Sequence, residues 1–412
     1  MNDPRALAVE PDRARDISIA RVVAPIFHRM LDRIDRALEV GAIEATLPDG
    51  THRLLGGRAD GPVAIVDLRR WRALVRLATG GSVGWYEAWA AGDWDSPDAV
   101  PLFALFMANR VPLGRSARSN GIARLASRAW HRLRRNDRSG ARRNIAAHYD
   151  LGNDFYETWL DAGMTYSSAM FGEANEPLEA AQNRKLAAIL QRTGAGEGDT
   201  VLEIGCGWGS FADAAARSGI KVHAITLSAE QKATVEARAL PSVTVALTDY
   251  RDVQGTYDAV ASIEMVEAVG ETYWPAYLDA VARALKPGGR AAIQYIAIAD
   301  DVFPAYAASV DFIQRYVFPG GMLISESRFR ALAEARELVW RDVHRFGGDY
   351  AETLLRWRTA FDAAVTDGRL PPRFDSRFVA LWRYYLMYCE GGFRGGGIDV
   401  AQVTLVKTGE SG

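Results

Sequence analysis

The run Val201-Leu202-Glu203-Ile204-Gly205-Cys206-Gly207-Trp208-Gly209 constrains the fold more than any other stretch of this chain. An apolar strand passes into glycines at alternate positions and then into a helix. Glycines let the backbone turn tightly and approach a ligand with no Cβ in the way. That ligand then lies at the strand's carboxyl end, near a helix N-terminus. From about residue 185 onward strand and helix patterns alternate, the signature of a parallel α/β sheet. The strand candidates are Thr200–Ile204, Lys221–Leu227, Val243–Thr248, Tyr257–Ile263 and Arg290–Ile298. Two later candidates, Leu338–Phe346 and Asp399–Lys407, bracket a Trp- and Tyr-rich helical block, Tyr350–Tyr388.

The preceding third is of another kind. Leu68, Trp71, Leu74 and Val75 fall at helical spacing, and Gly80-Gly81 is the expected stop. Asp93-Trp94-Asp95-Ser96-Pro97-Asp98 reads as a helix start. This region is expected to be a small α+β or helical domain, with the first twenty or so residues frayed. Between Arg110 and Arg143, eleven arginines face one acid, Asp137. Two readings stand for this stretch. It is a solvated connector, or it contacts anionic lipid head groups at roughly 1 kcal/mol per basic residue near the surface. No nucleic-acid module or stacking aromatic series accompanies the arginines, so nucleic acid is not expected as a partner.

Composition narrows the setting. The chain has 412 residues and a net charge of −2, so any basic surface is local. Its two cysteines, Cys206 and Cys389, make no disulfide framework and suit a reduced cytosol. No apolar run approaches the ~18–20 residues of a membrane span, and no secretion signal is visible at the start.

Two cofactors compete for the glycine loop. A dinucleotide fingerprint needs a third glycine where Ser210 stands, and an acid ~20 residues on. The next strand ends in Ala224-Ile225-Thr226-Leu227, with no acid. The spacing Glu-x-Gly-x-Gly-x-Gly resembles instead the first motif of S-adenosylmethionine methyltransferases.

Segments around the loop narrow the resemblance. They are His148-Tyr149-Asp150-Leu151-Gly152-Asn153, Met164-Thr165-Tyr166-Ser167-Ser168-Ala169-Met170-Phe171, Thr226-Leu227-Ser228-Ala229-Glu230-Gln231, Asp249-Tyr250-Arg251-Asp252, Phe318-Pro319-Gly320-Gly321, Phe346-Gly347-Gly348-Asp349-Tyr350 and Cys389-Glu390-Gly391-Gly392-Phe393-Arg394. Together they resemble the cyclopropane-fatty-acyl-phospholipid synthases and mycolic acid methyltransferases. Thr79-Gly80-Gly81-Ser82-Val83-Gly84 and Gly92-Asp93-Trp94 resemble the N-terminal domain of the longer bacterial synthases. The resemblance covers residues from about 65 to 407.

The resemblance implies an α/β fold. Its core is a seven-stranded class I methyltransferase (Rossmann-like) sheet with antiparallel last strands, and a smaller N-terminal α+β or helical domain precedes it. The expected division is 1–109 for a lipid-binding or dimerisation domain, 110–143 for the Arg-rich linker and 144–412 for the methyltransferase domain. The implied cofactor is S-adenosylmethionine. Tyr166 and Ser167 would touch it from above and Gly205 and Gly207 from below. Thr226, Leu227 and Gln231 would hold the ribose side, Asp249 and Tyr250 would lie near the adenine, and Ile263 would close the wall. The expected partners are unsaturated phospholipid acyl chains, an anionic membrane surface met through Arg110–Arg143, and a second copy in a homodimer. The expected location is the cytoplasm, peripherally on the inner face of the membrane.

An isolated alkene is a poor nucleophile. Its methylation calls for a dry pocket with aromatic faces to steady a carbocation. Phe312, Tyr316, Phe318, Tyr350 and Trp357 are the candidates. A proton must then leave. In the cyclopropane synthases a bound bicarbonate ion is the base, held by a Glu, a Tyr, a Cys, a His and a backbone contact. By family position Glu267 and Tyr350 fill the first two places, and Cys389 also falls in a family motif. Ser168 stands at the Cys position, Gln294 at the His position, and Ala268 where a His usually follows the Glu. Glu264 replaces a small residue, three positions before Glu267, and the pair is expected on one helical face. Two carboxylates there disfavour an added anion and raise one pKa, so a protein carboxylate can replace bicarbonate as base. The readings are therefore a methyl- or methylene-branching enzyme, a cyclopropane synthase with a modified bicarbonate site, a small-molecule methyltransferase and a non-catalytic lipid-binding relative.

Overall fold

The computed structural model describes residues 13–114 and 151–409, with side chains from residue 24 onward. The Arg-rich stretch past Gly114 and the His148-Tyr149-Asp150 segment lie outside the described residues. The chain forms two compact units, neither of them continuous in sequence. One comprises Met1–Ala129, Pro304–Arg315 and Leu370–Gly397; the other comprises Trp130–Phe303, Tyr316–Arg369 and Ile398–Gly412. Among the described residues no helix is long and apolar enough to cross a membrane.

The first unit opens with the helix Arg13–Ala37. It carries a four-stranded sheet of β1 (Ala42–Thr46), β2 (His52–Gly56), β3 (Val63–Leu68) and β4 (Trp94–Asp95), in the order β2-β1-β3-β4. The expected helix is present as Arg72–Ala90, but the glycine pair does not stop it. Gly81, at φ 57° and ψ −137°, kinks the helix and lets it continue. The aspartate-rich Asp93–Asp98 segment is strand β4 and a turn rather than a helix start, and the next helix begins at Val100. Asp93 is fully buried and bonded to Arg70, Arg72 and Arg76, which fix the turn before β4. The last helix of this unit is Ser376–Arg394, so the expected Tyr350–Tyr388 block is two helices that belong to different units.

The second unit is built on a seven-stranded sheet. Its strands are β5 (Thr200–Ile204), β6 (Lys221–Thr226), β7 (Val243–Leu247), β8 (Tyr257–Ile263), β9 (Leu285–Ile298), β10 (Leu338–Arg345) and β11 (Ile398–Lys407). The order is β10-β11-β9-β8-β5-β6-β7. The five strands from β9 to β7 run parallel, and β11 and β10 pair antiparallel. This is the expected sheet. The central strands are mostly apolar, as parallel sheets packed against helices require. Val201, Val222, Ala224, Ala259, Ala261 and Ala292 pack with Ile189, Phe211 and Ala215 from the helices in one core. Strand β9 starts five residues earlier than expected, at Leu285. Strand order reverses at β5, with β6 on one side and β8 on the other. That reversal opens a crevice at the strands' carboxyl ends, the usual ligand position in such sheets.

Candidate active site

The crevice is a cleft of about 990 Å3, its solvent-open mouth included. Gly205, Gly207 and Gly209 all have positive φ (82°, 52° and 91°), a backbone that residues with a Cβ rarely adopt. A Cβ on Gly207 would meet no protein atom within 4 Å, so it would project into the cleft. Tyr166, Ser167, Thr226, Leu227, Gln231, Tyr250 and Ile263 line the same space. Ser228 caps the Ala229–Ala237 helix by accepting from the Gln231 N–H. That places the Gln231 side chain so that its Oε1 accepts from Thr226 Oγ1 at 2.8 Å. With the carbonyl engaged, the amide donors remain for a ligand hydroxyl. Asp249 does not line the cleft. It is buried and bound to Arg251 at 2.6–2.7 Å.

Beyond the glycine loop lies a buried polar cluster. Glu264 follows β8 with φ 50°, a left-handed conformation that is uncommon for glutamate. Its N–H donates to the Gln294 carbonyl oxygen at 2.8 Å. Its carboxylate accepts three hydrogen bonds. The Ser168 N–H and Gln294 Nε2 donate to Oε1 at 2.9 and 2.7 Å, and the Tyr350 hydroxyl donates to Oε2 at 2.8 Å. Glu267 stands in the one-turn helix Val266–Ala268. Its Oε1 accepts from the Ile296 N–H, while Oε2 is buried with no partner among the described residues. The two glutamates therefore do not share a helical face as expected. They converge because a left-handed residue and a tight turn aim them inward.

Burial shapes the charges. It pushes Glu267 up to about 8, and the neighbouring Glu264 adds to the effect. Burial also raises Glu264, opposed by Lys185, the Ser168 N–H, Gln294 and Tyr350. Lys185, fully buried, is lowered by desolvation to about 8, against the pull of Glu264, Asp161 and Glu203. Its ammonium donates to Ser167 Oγ at 2.5 Å. Glu203, also buried, is pushed up by burial to about 8, and its Oε2 has no partner among the described residues.

Lys185 and Glu203 were not among the candidate site residues. Their signal was present in the pattern. Lys185 sits on the buried stripe of the Leu178–Thr193 helix between Ala181 and Ile189, and Glu203 interrupts an apolar strand. A charge on a buried face is rarely there without a polar purpose.

Aromatic rings line up beside the cluster. Tyr166 lies 5.4–5.5 Å, centroid to centroid, from Tyr156, Trp159 and Trp357, and Trp357 lies 6.1 Å from Tyr350. Phe318 is in the turn whose Gly321 N–H it accepts, and the next N–H, of Met322, donates to the Glu267 carbonyl oxygen at 2.7 Å. Tyr316 also belongs to this unit. Phe312 belongs to the other unit, packed on Tyr86, Tyr384 and Tyr388. So does Cys389, whose thiol is raised by burial.

The glycine cradle, the Gln231 amide and the unpaired Glu203 oxygen suit a cofactor with hydroxyls and a cationic end, as S-adenosylmethionine has. A bicarbonate ion does not fit the donor set. Gln294 and the Tyr350 hydroxyl are engaged by Glu264, the Ser168 hydroxyl donates to the Ala169 carbonyl oxygen, and two carboxyl groups already share the space.

Comparison with known proteins agrees with the geometry. The family model described as mycolic acid cyclopropane synthetase matches residues 136–403. The chain is 35% identical to the tuberculostearic acid methyltransferase UfaA1 of Mycobacterium tuberculosis, over 95% of this chain and 93% of that protein. It is 37% identical to the cyclopropane-fatty-acyl-phospholipid synthase of Escherichia coli, over 64% of this chain and 68% of that one. The crystal structure of mycolic acid cyclopropane synthase CmaA1 complexed with SAH and CTAB superposes with a TM-score of 0.61 at 29% identity, covering 65% of this chain and 98% of that one. The chain belongs to the mycolic acid cyclopropane synthetase family and is a lipid-modifying, S-adenosylmethionine-dependent methyltransferase.

Proposed function

We propose that the protein methylates the double bond of an unsaturated fatty acyl chain in a membrane phospholipid, and that the product is a methylene- or methyl-branched chain. One observation carries this reading: the Glu264 carboxylate occupies three converging donors, Ser168 N–H, Gln294 and Tyr350. S-adenosylmethionine, when bound, supplies an electrophilic methyl group. The alkene's π pair would form the new carbon–carbon bond as the methyl–sulfur bond breaks, its electrons returning to sulfur so that S-adenosylhomocysteine leaves, and a cation would remain on the chain. Tyr166, Tyr350 and Trp357 offer ring faces to that cation and keep water out, each cation–ring contact contributing ~0.5–2 kcal/mol when dry. Glu264 then accepts a proton, and the C–H electron pair left behind forms a double bond. A saturated branch needs a separate reductant. The relative matched along almost the whole chain is named a tuberculostearic acid methyltransferase, which favours branching over ring closure.

Ring closure is the second reading, because Glu267 and Tyr350 stand at the family's positions. The test is product analysis by gas chromatography with mass detection, in buffer with and without bicarbonate. The branching reading expects a branched product and no response to bicarbonate. The triple variant Ser168→Cys, Gln294→His, Glu264→Gly should become bicarbonate-dependent and move product toward cyclopropane. Cyclopropane as the sole wild-type product, lost on bicarbonate removal, would overturn it.

The N-terminal region, 1–109, acts in this reading as a lipid-binding or dimerisation domain, and the protein works as a homodimer at the cytoplasmic membrane face. The arginines of 110–143 support contact with anionic lipid, a contact that fades with salt. Vesicle co-sedimentation indifferent to both salt and the Arg132→Gln, Arg134→Gln, Arg135→Gln triple variant would sink that part.

A further inference from the structure

Behind Glu264 runs a chain of amides that ends on a guanidinium. Gln294 on β9 and Gln402 on β11 are direct cross-strand partners, and both are fully buried. Gln294 Nε2 donates to Glu264 Oε1 at 2.7 Å, and its Oε1 accepts from Gln402 Nε2 at 3.1 Å. Gln402 Nε2 also reaches the Lys185 carbonyl oxygen at 3.4 Å. Gln402 Oε1 accepts from Arg192 Nε at 3.1 Å. Arg192 is anchored by further bonds to the Asp342 carbonyl oxygen and to Thr404 Oγ1.

An amide is reversible in principle, since either end can face a neighbour. A guanidinium only donates. Arg192 therefore compels Gln402 to present its oxygen outward and its NH2 inward. Gln402 in turn compels Gln294 to present its oxygen to it and its NH2 to Glu264. The direction of the last hydrogen bond is set at the far end of the chain. A donor aimed at a carboxylate favours its charged form.

We propose that Arg192, Gln402 and Gln294 form a one-way hydrogen-bond chain that holds Glu264 ionised and ready to accept a proton, with Gln402 as the positioning residue. This rests on the reading of Glu264 as proton acceptor. The other groups facing Glu264 are Lys185 from the Leu178–Thr193 helix, Glu267 from its one-turn helix and Tyr350 from the Gly347–Thr366 helix. None of their side chains bonds to Gln402, which touches Lys185 only at its main-chain carbonyl.

The decisive variant is Gln402→Glu. A carboxylate there accepts from Arg192 and draws the Gln294 NH2 toward itself, which turns the Gln294 oxygen onto Glu264 and reverses the chain. Glu264 protonation is read directly by infrared-detected titration, its band identified by difference against Glu264→Gln. The expected result is an upward shift of about one to two pH units, the size of one hydrogen bond to a charged group. The acid limb of kcat/KM should move by the same amount, with S-adenosylhomocysteine affinity unchanged. Arg192→Met, at a half-buried position, serves if Gln402→Glu does not fold, and should shift the titration in the same direction. Arg192→Lys keeps a donor and should restore it. Identical Glu264 titration in wild type, Gln402→Glu and Arg192→Met overturns the proposal. Full turnover by Glu264→Gln would instead remove the proton-acceptor role, and the infrared titration would still judge the chain by itself.

Discussion

The half of the cleft around Gly205–Gly209, proposed to hold the cofactor, and the half around Glu264, proposed to accept a proton, are built by different means. The first is backbone. Three glycines at positive φ form a cradle, and what matters is the room left by absent side chains. The second is side chain. Ser168, Glu264, Gln294 and Tyr350 come from separate segments and meet through hydrogen bonds on the Glu264 carboxylate in a buried space, with Lys185 and Glu267 buried beside them. A backbone cradle tolerates variation around it but no bulk within it. A buried polar network tolerates no missing member, because each loss leaves a desolvated partner.

The largest effect should come from breaking the network at its centre. Glu264→Gln should lower turnover by ~10²–10⁴-fold, the usual range for a general base, while S-adenosylhomocysteine binding stays within a few-fold. Rapid-quench assays with unsaturated phospholipid vesicles measure the first, and calorimetric titration the second. Equal losses of binding and turnover would erase the distinction between the two halves.

Gly207→Val attacks the other half. A branched side chain there projects into the cleft and is strained at positive φ. Affinity for S-adenosylhomocysteine should fall beyond calorimetric detection in a folded protein. Undiminished binding would mean that the cradle is not the cofactor site.

The smallest effect is on stability. Glu267 is pushed up to about 8 in the folded protein, against an ordinary value near 4.5 when unfolded. Between these values the folded state holds the proton that the unfolded state has released, so stability falls as pH rises from about 4.5 to 8. Glu267→Gln removes that dependence. Its Tm relative to wild type should increase from pH 5 to pH 9, by about 2–4 °C per kcal/mol released. Scanning fluorimetry across pH checks this, and parallel curves would show that Glu267 is not held neutral by burial.

Much of this protein was legible in its sequence. Strand–helix alternation and the Gly205–Gly209 spacing are local signals, so the parallel sheet and the cofactor loop could be read from short windows. Glu267, Tyr350, Ser168 and Gln294 were reached through motif position, and Glu264 as a departure from it. Local signals also misled where tertiary context overrode them. Gly80-Gly81 kinks a helix that packing carries onward, and Asp93, itself buried, gathers three arginines rather than capping a helix. What only the tertiary structure decided is the meeting of residues far apart in the chain. Gln402 and Gln294, 108 positions apart, are neighbours because β11 inserts antiparallel beside β9. Glu264 aims its carboxylate at Ser168 and Tyr350 because its backbone is left-handed, not because it shares a helical face with Glu267. A sequence carries residue type and spacing, which determine local elements. Burial, donor direction and the shifted charges of Lys185 and Glu267 exist only once strands and helices have closed water out of the space between them.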